Sequence, residues 1–166
     1  MASMNSFDIV SDYDKGELNN VYDQAQRELM NRYDLKGTKA GLDWLDGDKT
    51  AFKITGDSDF HIEAILDIIR KKLAARGQSQ KVLDISQDST TTNLQTTKIV
   101  PLKKGIAQDN AKKISALIRD NYPKVKAQIQ GDELRVMSPK KDELQAVMDL
   151  LRSQNFDFPL QFTNYR

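Results

Sequence analysis

The order of apolar patterns along the chain predicts an α+β fold of two tandem ferredoxin-like units. Each unit is a strand–helix–strand–strand–helix–strand run (βαββαβ) with helices on one face of an antiparallel sheet. Three observations predict it. The run occurs over residues 6–86 and restarts over 97–164. Within each run, stretches of helical period alternate with stretches of period two in the same order. Gly, Asp and Pro clusters mark the turns between them. Open sheets of this class serve binding more often than chemistry, so function is sought on exposed faces.

In the first half, Leu18, Val21, Tyr22, Ala25 and Leu29 fall at helical spacing, and Asp14 with Glu17 three residues later marks the helix start. After Gly37 the period becomes two: Ala40, Leu42 and Trp44 face one way, Asp46-Gly47-Asp48 turns the chain, and Phe52 and Ile54 return as a hairpin. The next helix begins near Asp57-Ser58, sets Ile62, Ile65, Leu66, Ile69 and Leu73 on one face, and ends at Gly77. Val82 to Ile85 reads as a short closing strand.

Residues 87–97, QDSTTTNLQTT, are polar and Ser/Thr-rich and read as a linker. Beyond it Ile99, Val100 and Leu102 form a strand, and Gly105 opens a helix carrying Ala107, Ala111, Ile114 and Ile118. Val125, Ala127 and Ile129 alternate inward, Gly131-Asp132 turns, and Leu134 and Val136 return. Ser138-Pro139 reads as a cap followed by a proline at the first helical position, Leu144, Val147, Met148 and Leu151 make the last stripe, and Leu160 with Phe162 closes the sheet.

Composition narrows the function. The chain has 166 residues, 39% of them hydrophobic, and no cysteine, which removes disulfides, thiolate metal sites and cysteine nucleophiles and fits a reducing, cytoplasmic compartment. No basic leader and no membrane-length apolar run is present, so no membrane partner is expected. The net charge of +1 hides an asymmetry: residues 1–97 carry 12 Lys+Arg against 16 Asp+Glu, and residues 98–166 carry 13 against 8. A basic half on a balanced chain suits small nucleotides or a short RNA segment, and does not suit a dedicated DNA-duplex binder.

Chemistry has few places to sit. His61 is the only histidine and lies off the apolar stripe of its helix, which reads as a surface side chain. Asp46-Gly47-Asp48 lacks the sixth-position glycine of a calcium loop, because Ala51 stands there, and reads as the hairpin turn. No phosphate loop of the Gly-x-x-x-x-Gly-Lys type occurs. The central strands offer Lys53 and Arg135 outward where an RNA-recognition motif would carry stacking rings. The chain is therefore expected to be non-catalytic and to need neither metal nor cofactor.

Three groups of residues remain as nucleotide-site candidates. Lys103-Lys104-Gly105, leading into a helix, combines free backbone N–H groups with two ammonium groups; the plainer account is a glycine turn with solvated lysines. Strand alternation puts Lys124, Lys126, Gln128, Gln130, Arg135, Gln161 and Thr163 on the outer face of the second sheet, with Glu133 the only acid among them. Lys126, Gln128, Gln130 and Arg135 are the primary candidates, the amides for base edges and the guanidinium for phosphate or guanine. The plainer account is a solvated sheet face. Arg32 and Lys36, with the terminal Asn164 and Arg166, form the third group, which the plainer account treats as charges complementing a helix C-terminus. The outer face of the first sheet, with Lys39, Asp43, Lys53 and Thr55, has mixed charge.

Five segments resemble a known family in the right order: Ser6–Ser11 (SFDIVS), Arg32–Gly37 (RYDLKG), Lys124–Val136 (KVKAQIQGDELRV), Asp142–Val147 (DELQAV) and Leu160–Arg166 (LQFTNYR). The chain is similar, nearly end to end, to the bacterial YajQ family, with Leu35 where that family usually shows Phe and with an uncharacteristic polar linker. The resemblance implies two ferredoxin-like domains that exchange their first strands: a first domain over 12–103, with linker 87–97 and strand 97–102 in its sheet, and a second over 104–166 that takes in strand 6–11. It also implies binding, not turnover, of a purine nucleotide such as GTP or ATP, of cyclic di-GMP, or of transfer RNA; the action expected of such a binder is regulatory, through a partner protein or RNA. The competing expectation is an RNA-associated or protein-interaction docking module without a small ligand.

Overall fold

The structure is a computed structural model that describes residues 4–166. Two compact units divide the chain, one of Tyr13–Lys103 and one that joins the N-terminal residues up to Asp12 to Lys104–Arg166. Both are ferredoxin-like, with two helices against a four-stranded antiparallel sheet.

In the unit of Tyr13–Lys103, α1 (Lys15–Asn31) starts where the Asp14 carboxylate accepts from the Glu17 backbone N–H at 3.1 Å, as the cap pattern predicts. Its stripe of Leu18, Val21, Ala25 and Leu29 is buried, as are six apolar residues of α2 (Asp59–Ala75). Both helices cover one face of a sheet built from β2 (Gly41–Trp44), β3 (Ala51–Gly56), β4 (Thr90–Thr92) and β5 (Gln95–Pro101) in the order β2-β3-β5-β4. Leu42, Phe52, Ile54 and Val100 point into that core, each worth about 1.5–3 kcal/mol on burial.

Two expectations for this unit are corrected. Residues 82–85 are not a strand: a 3-10 turn spans Gln80–Val82, and Leu83 makes only an isolated bridge to Leu102. Val82 and Leu83 are buried, and only two backbone bonds, Lys103 N–H to the Val82 carbonyl and Asp84 N–H to the Pro101 carbonyl, flank that bridge. The fourth strand comes instead from the segment read as a linker. Thr90–Thr92 pairs with β5 across a two-residue turn in which Asn93 (φ 53°) and Leu94 (φ 63°) are both left-handed, the geometry of a type I′ hairpin. The threonines suit a strand through their β-branching, and the Thr91 and Thr96 hydroxyls hydrogen-bond at 3.0 Å. Polarity alone was a poor guide to a strand at the sheet edge.

The other unit has β1 (Asn5–Val10), α3 (Gln108–Asn121), β6 (Lys126–Gln130), β7 (Glu133–Ser138), α4 (Lys141–Ser153) and β8 (Gln161–Thr163), with sheet order β6-β7-β1-β8. β1 thus lies between two strands more than 120 residues later in the chain, with Phe7 opposite Val136 and Ile9 opposite Leu134 and Phe162. This is the strand arrangement the family resemblance implies. Phe7, Ile9, Leu134 and Val136 pack against Ile114, Ile118, Leu144, Val147 and Leu151 of the helices.

Two helix starts differ from expectation. Gly105 does not open α3, which begins three residues later behind Ala107; Gly105 sits at φ 82° and its N–H is bonded to the Ser11 carbonyl at 2.6 Å. Likewise α4 begins after Lys140, not after Ser138. Ser138 ends β7, accepts from the Lys140 N–H at 3.1 Å and bonds the Glu143 carboxylate at 3.1 Å, so its hydroxyl still serves the helix start from one turn back.

Candidate functional site

Alternation divides the β6-β7-β1-β8 sheet into a core face and an open face. Since Phe7, Ile9, Leu134 and Val136 take the core side, Ser6, Asp8, Arg135, Met137, Lys126, Gln128, Gln130 and Thr163 take the other. One row across the open face runs Gln128, Arg135, Asp8, Thr163 in register on four adjacent strands.

Asp8 is the residue that sequence reasoning missed. It is 2% exposed, accepts from Arg135 Nε at 3.0 Å on one carboxylate oxygen, and accepts from Asn164 Nδ2 at 2.8 Å on the other. The Arg135 hydrogen bond holds the Asp8 carboxyl below its ordinary value against the opposing effect of burial, helped by Asn164 and by the charges of Arg135 and Arg166. In turn the hydrogen bond and charge of Asp8 push Arg135 upward. The expectation of Glu133 as the only acid on this face is therefore corrected. Arg135 is the outer, more exposed half of an ion pair whose inner half is Asp8, and Asp8 escaped notice because it enters the sheet from the far end of the chain.

Lys126 and Gln128 are exposed on β6 and Gln130 is half-buried, its amide 3.5 Å from that of Gln128. They stand at the edge of the sheet, where a cleft of about 500 Å³ is lined by Lys126, Gln128 and Met137 and by Ser115 and Arg119 of α3. Arg119 is 73% exposed, and among the described residues its only ion-pair contact is a loose 3.8 Å approach to the neighbouring Asp120. Ser115 and Arg119 were not foreseen. Their signal is four-residue spacing on the flank of an amphipathic helix, which marks a rim only once the core face and the adjoining strand are known.

The other candidates fare differently. At Lys103-Lys104-Gly105 the Gly105 N–H is spent on Ser11, the Lys103 N–H on the Val82 carbonyl at 2.7 Å, and the Asp132 carboxylate crowds Gly105. Lys103 and Lys104 also fall in different units. Arg32 is engaged by Asp34 in a two-point contact, Nε to Oδ1 at 3.0 Å and Nη2 to Oδ2 at 2.8 Å, so it is not a bare cation; Lys36 is exposed nearby in sequence. Arg166, by contrast, is tied to the open face, because its backbone exchanges two hydrogen bonds with Ser6 at 2.9 and 3.0 Å.

His61 has a structural task. Its Nδ1 accepts from the Asp57 N–H at 3.0 Å, and its Cβ occupies the space a side chain at Gly56 would need. Asp46 Oδ1 accepts from the Asp48 N–H at 3.1 Å, a local turn of the hairpin. Among the described residues no group of three or more His, Cys, Asp or Glu could hold a metal ion, and no helix is long and apolar enough to cross a membrane.

Comparison with known proteins places these features in context. The family model described as nucleotide-binding protein YajQ-like matches residues 5–166. A protein of Trichodesmium erythraeum named nucleotide-binding protein is 46% identical over 166 residues, all of both chains. A protein of the same name from a Nocardioides strain is 50% identical over 163 residues, 97% of this chain and 98% of its own. One from Thermobifida fusca is 46% identical over the full length of both.

Proposed function

The chain belongs to the YajQ-like family, and from that premise we propose that it is a non-catalytic binder of a purine nucleotide held in the cleft beside β6. The observation that carries this reading is the convergence of Lys126 and Gln128, chosen from the sequence, with Arg119 and Ser115 on one cleft. Two cations and a hydroxyl suit phosphate oxygens, and the amides of Gln128 and Gln130 suit the donor–acceptor edge of a purine. The family name and the names of the relatives support the ligand class.

Arg135 takes a smaller part than its charge suggests. With Nε committed to Asp8, it holds the row beside Gln128 in place and adds little net charge to the face. Lys103, Lys104, Arg32 and Lys36 stand outside the proposed site. The role we read is regulatory: occupancy changes the charge and shape that the cleft presents to a macromolecule.

Thermal-shift titration against GTP, ATP, cyclic di-GMP and transfer RNA tests it, because a ligand of the folded state raises the melting temperature by mass action. At least one purine nucleotide should raise it in a saturable way, and Lys126→Ala and Arg119→Ala should each weaken that nucleotide's Kd about tenfold, the worth of one charge-assisted bond. A flat panel sinks the proposal. Affinity for transfer RNA alone, falling steeply with salt, would replace it with an RNA-docking module.

A further inference from the structure

β6 is an outer strand of its sheet, and its free side faces a basic groove. The two-residue turn Gly131-Asp132, with Gly131 at φ 64°, makes Gln130 and Glu133 a hydrogen-bonded pair, and the alternation of an antiparallel ladder then makes Gln128–Arg135 and Lys126–Met137 bonded pairs as well. The N–H and C=O groups of the intervening Ala127 and Ile129 therefore point away from β7, and among the described residues no strand pairs with that side. The opposite edge of the same sheet, β8, offers only three residues.

A stripe of α3 runs alongside this edge. Gln108, Lys112, Ser115 and Arg119 share one side of the helix at three- and four-residue spacing. Gln108 Nε2 reaches the Gly131 carbonyl at 3.4 Å at one end, and Ser115 and Arg119 line the cleft with Val125 to Gln128 at the other. Arg119 and Lys126 line the groove, and two further exposed cations flank it in sequence, Lys112 on the same side of the helix and Lys124 just before the strand. Its acids sit at the ends: Asp120 beside Arg119, and Asp132 and Glu133 at the turn.

We propose that β6 accepts an extended acidic peptide segment of a partner protein as an additional strand. Backbone bonds to Ala127 and Ile129 would supply affinity, and carboxylates on the added strand would meet Lys126 on the open face and Lys112 or Arg119 on the helix side. Charge selects this occupant over a second copy of the chain, whose own β6 edge would bring Lys124, Lys126 and Arg119 against their like. The inference goes beyond nucleotide binding: it adds the strand's outward main chain, and it shares Lys126 and Arg119 with the proposed nucleotide cleft.

Hydrogen exchange by NMR on the full chain tests it, with a synthetic ten-residue peptide alternating Glu with Val and Thr as probe and its Gln-for-Glu counterpart as control. The Ala127 and Ile129 amides should exchange readily in the free protein and slow by at least about tenfold with the Glu peptide, while the Gln128 amide, already bonded to β7, should not change. The Gln peptide should protect less. Ala127→Pro removes one outward N–H at a position where an edge strand tolerates proline and should abolish protection; if that variant unfolds, the alternation of protection in the wild type decides by itself. Binding without slowing at Ala127 and Ile129, no binding at all, or concentration-dependent protection of both amides in the peptide-free chain overturns the proposal, the last in favour of self-pairing. A bound nucleotide gives no alternating main-chain protection, so this test and the nucleotide titration can fail separately.

Discussion

Asp8 and Arg135 face each other in register across β1 and β7, Oδ1 to Nε at 3.0 Å, although 127 residues separate them in the chain. The contact ties the first strand to the one face that carries the candidate site, and it fixes where the positive charge of that face is already spent.

Because the folded-state Asp8 carboxyl is held low, its ionised form stabilises the fold. That stability is fully present above the ordinary carboxylate value of about 3.9 and is lost as pH falls through the lowered one. Asp8→Ala, which removes the buried carboxylate and leaves Arg135 Nε and Asn164 Nδ2 without their acceptor, should cost about 1–3 kcal/mol at neutral pH. Urea titrations from pH 7 to pH 2 should show the difference between variant and wild type shrinking in the acid range. A difference constant across that range would show that the carboxylate contributes nothing by its charge.

Gly56 is required by His61. A Cβ at residue 56 would stand 2.4 Å from the His61 Cβ, a contact no rotamer relieves. Gly56→Ala should destabilise by about 1–3 kcal/mol, and adding His61→Ala should not restore it, since alanine keeps the offending atom. Recovery of the melting temperature in the double variant would place the strain on the imidazole ring instead.

Leu94 is 83% exposed and left-handed at φ 63°, a conformation that penalises a branched side chain without any packing in return. Leu94→Gly creates the Asn-Gly turn that a type I′ hairpin prefers and should raise stability by about 1 kcal/mol. A lower melting temperature would mean that the leucine makes a contact the free chain needs.

Much of the architecture was legible because packing leaves a period in the chain. Leu18, Val21, Ala25 and Leu29 announce a helix, and Ala127 and Ile129 announce a strand, whatever they pack against. What escaped depended on partners remote in sequence. Thr90–Thr92 is polar on every side and becomes a strand only because β5 is there to pair with it. Asp8 looks like any strand carboxylate until Arg135 and Asn164 converge on it. The site was half legible for the same reason. Alternation exposes Lys126 and Gln128, whereas Arg119 acquires meaning only from the register of α3 against β6. A lysine pair before glycine signals free N–H groups, whereas at Lys103 and Gly105 those groups are already bonded to carbonyls remote in sequence.

The central claim is a location, and backbone amide chemical-shift mapping during titration with GTP, ATP and cyclic di-GMP addresses it directly. The account predicts saturable shifts at Ser115, Arg119, Lys126, Gln128 and Met137, and small ones at Tyr33 to Gly37 and Lys103 to Gly105. Shifts concentrated at those two segments, with the β6 cleft unmoved, would contradict it.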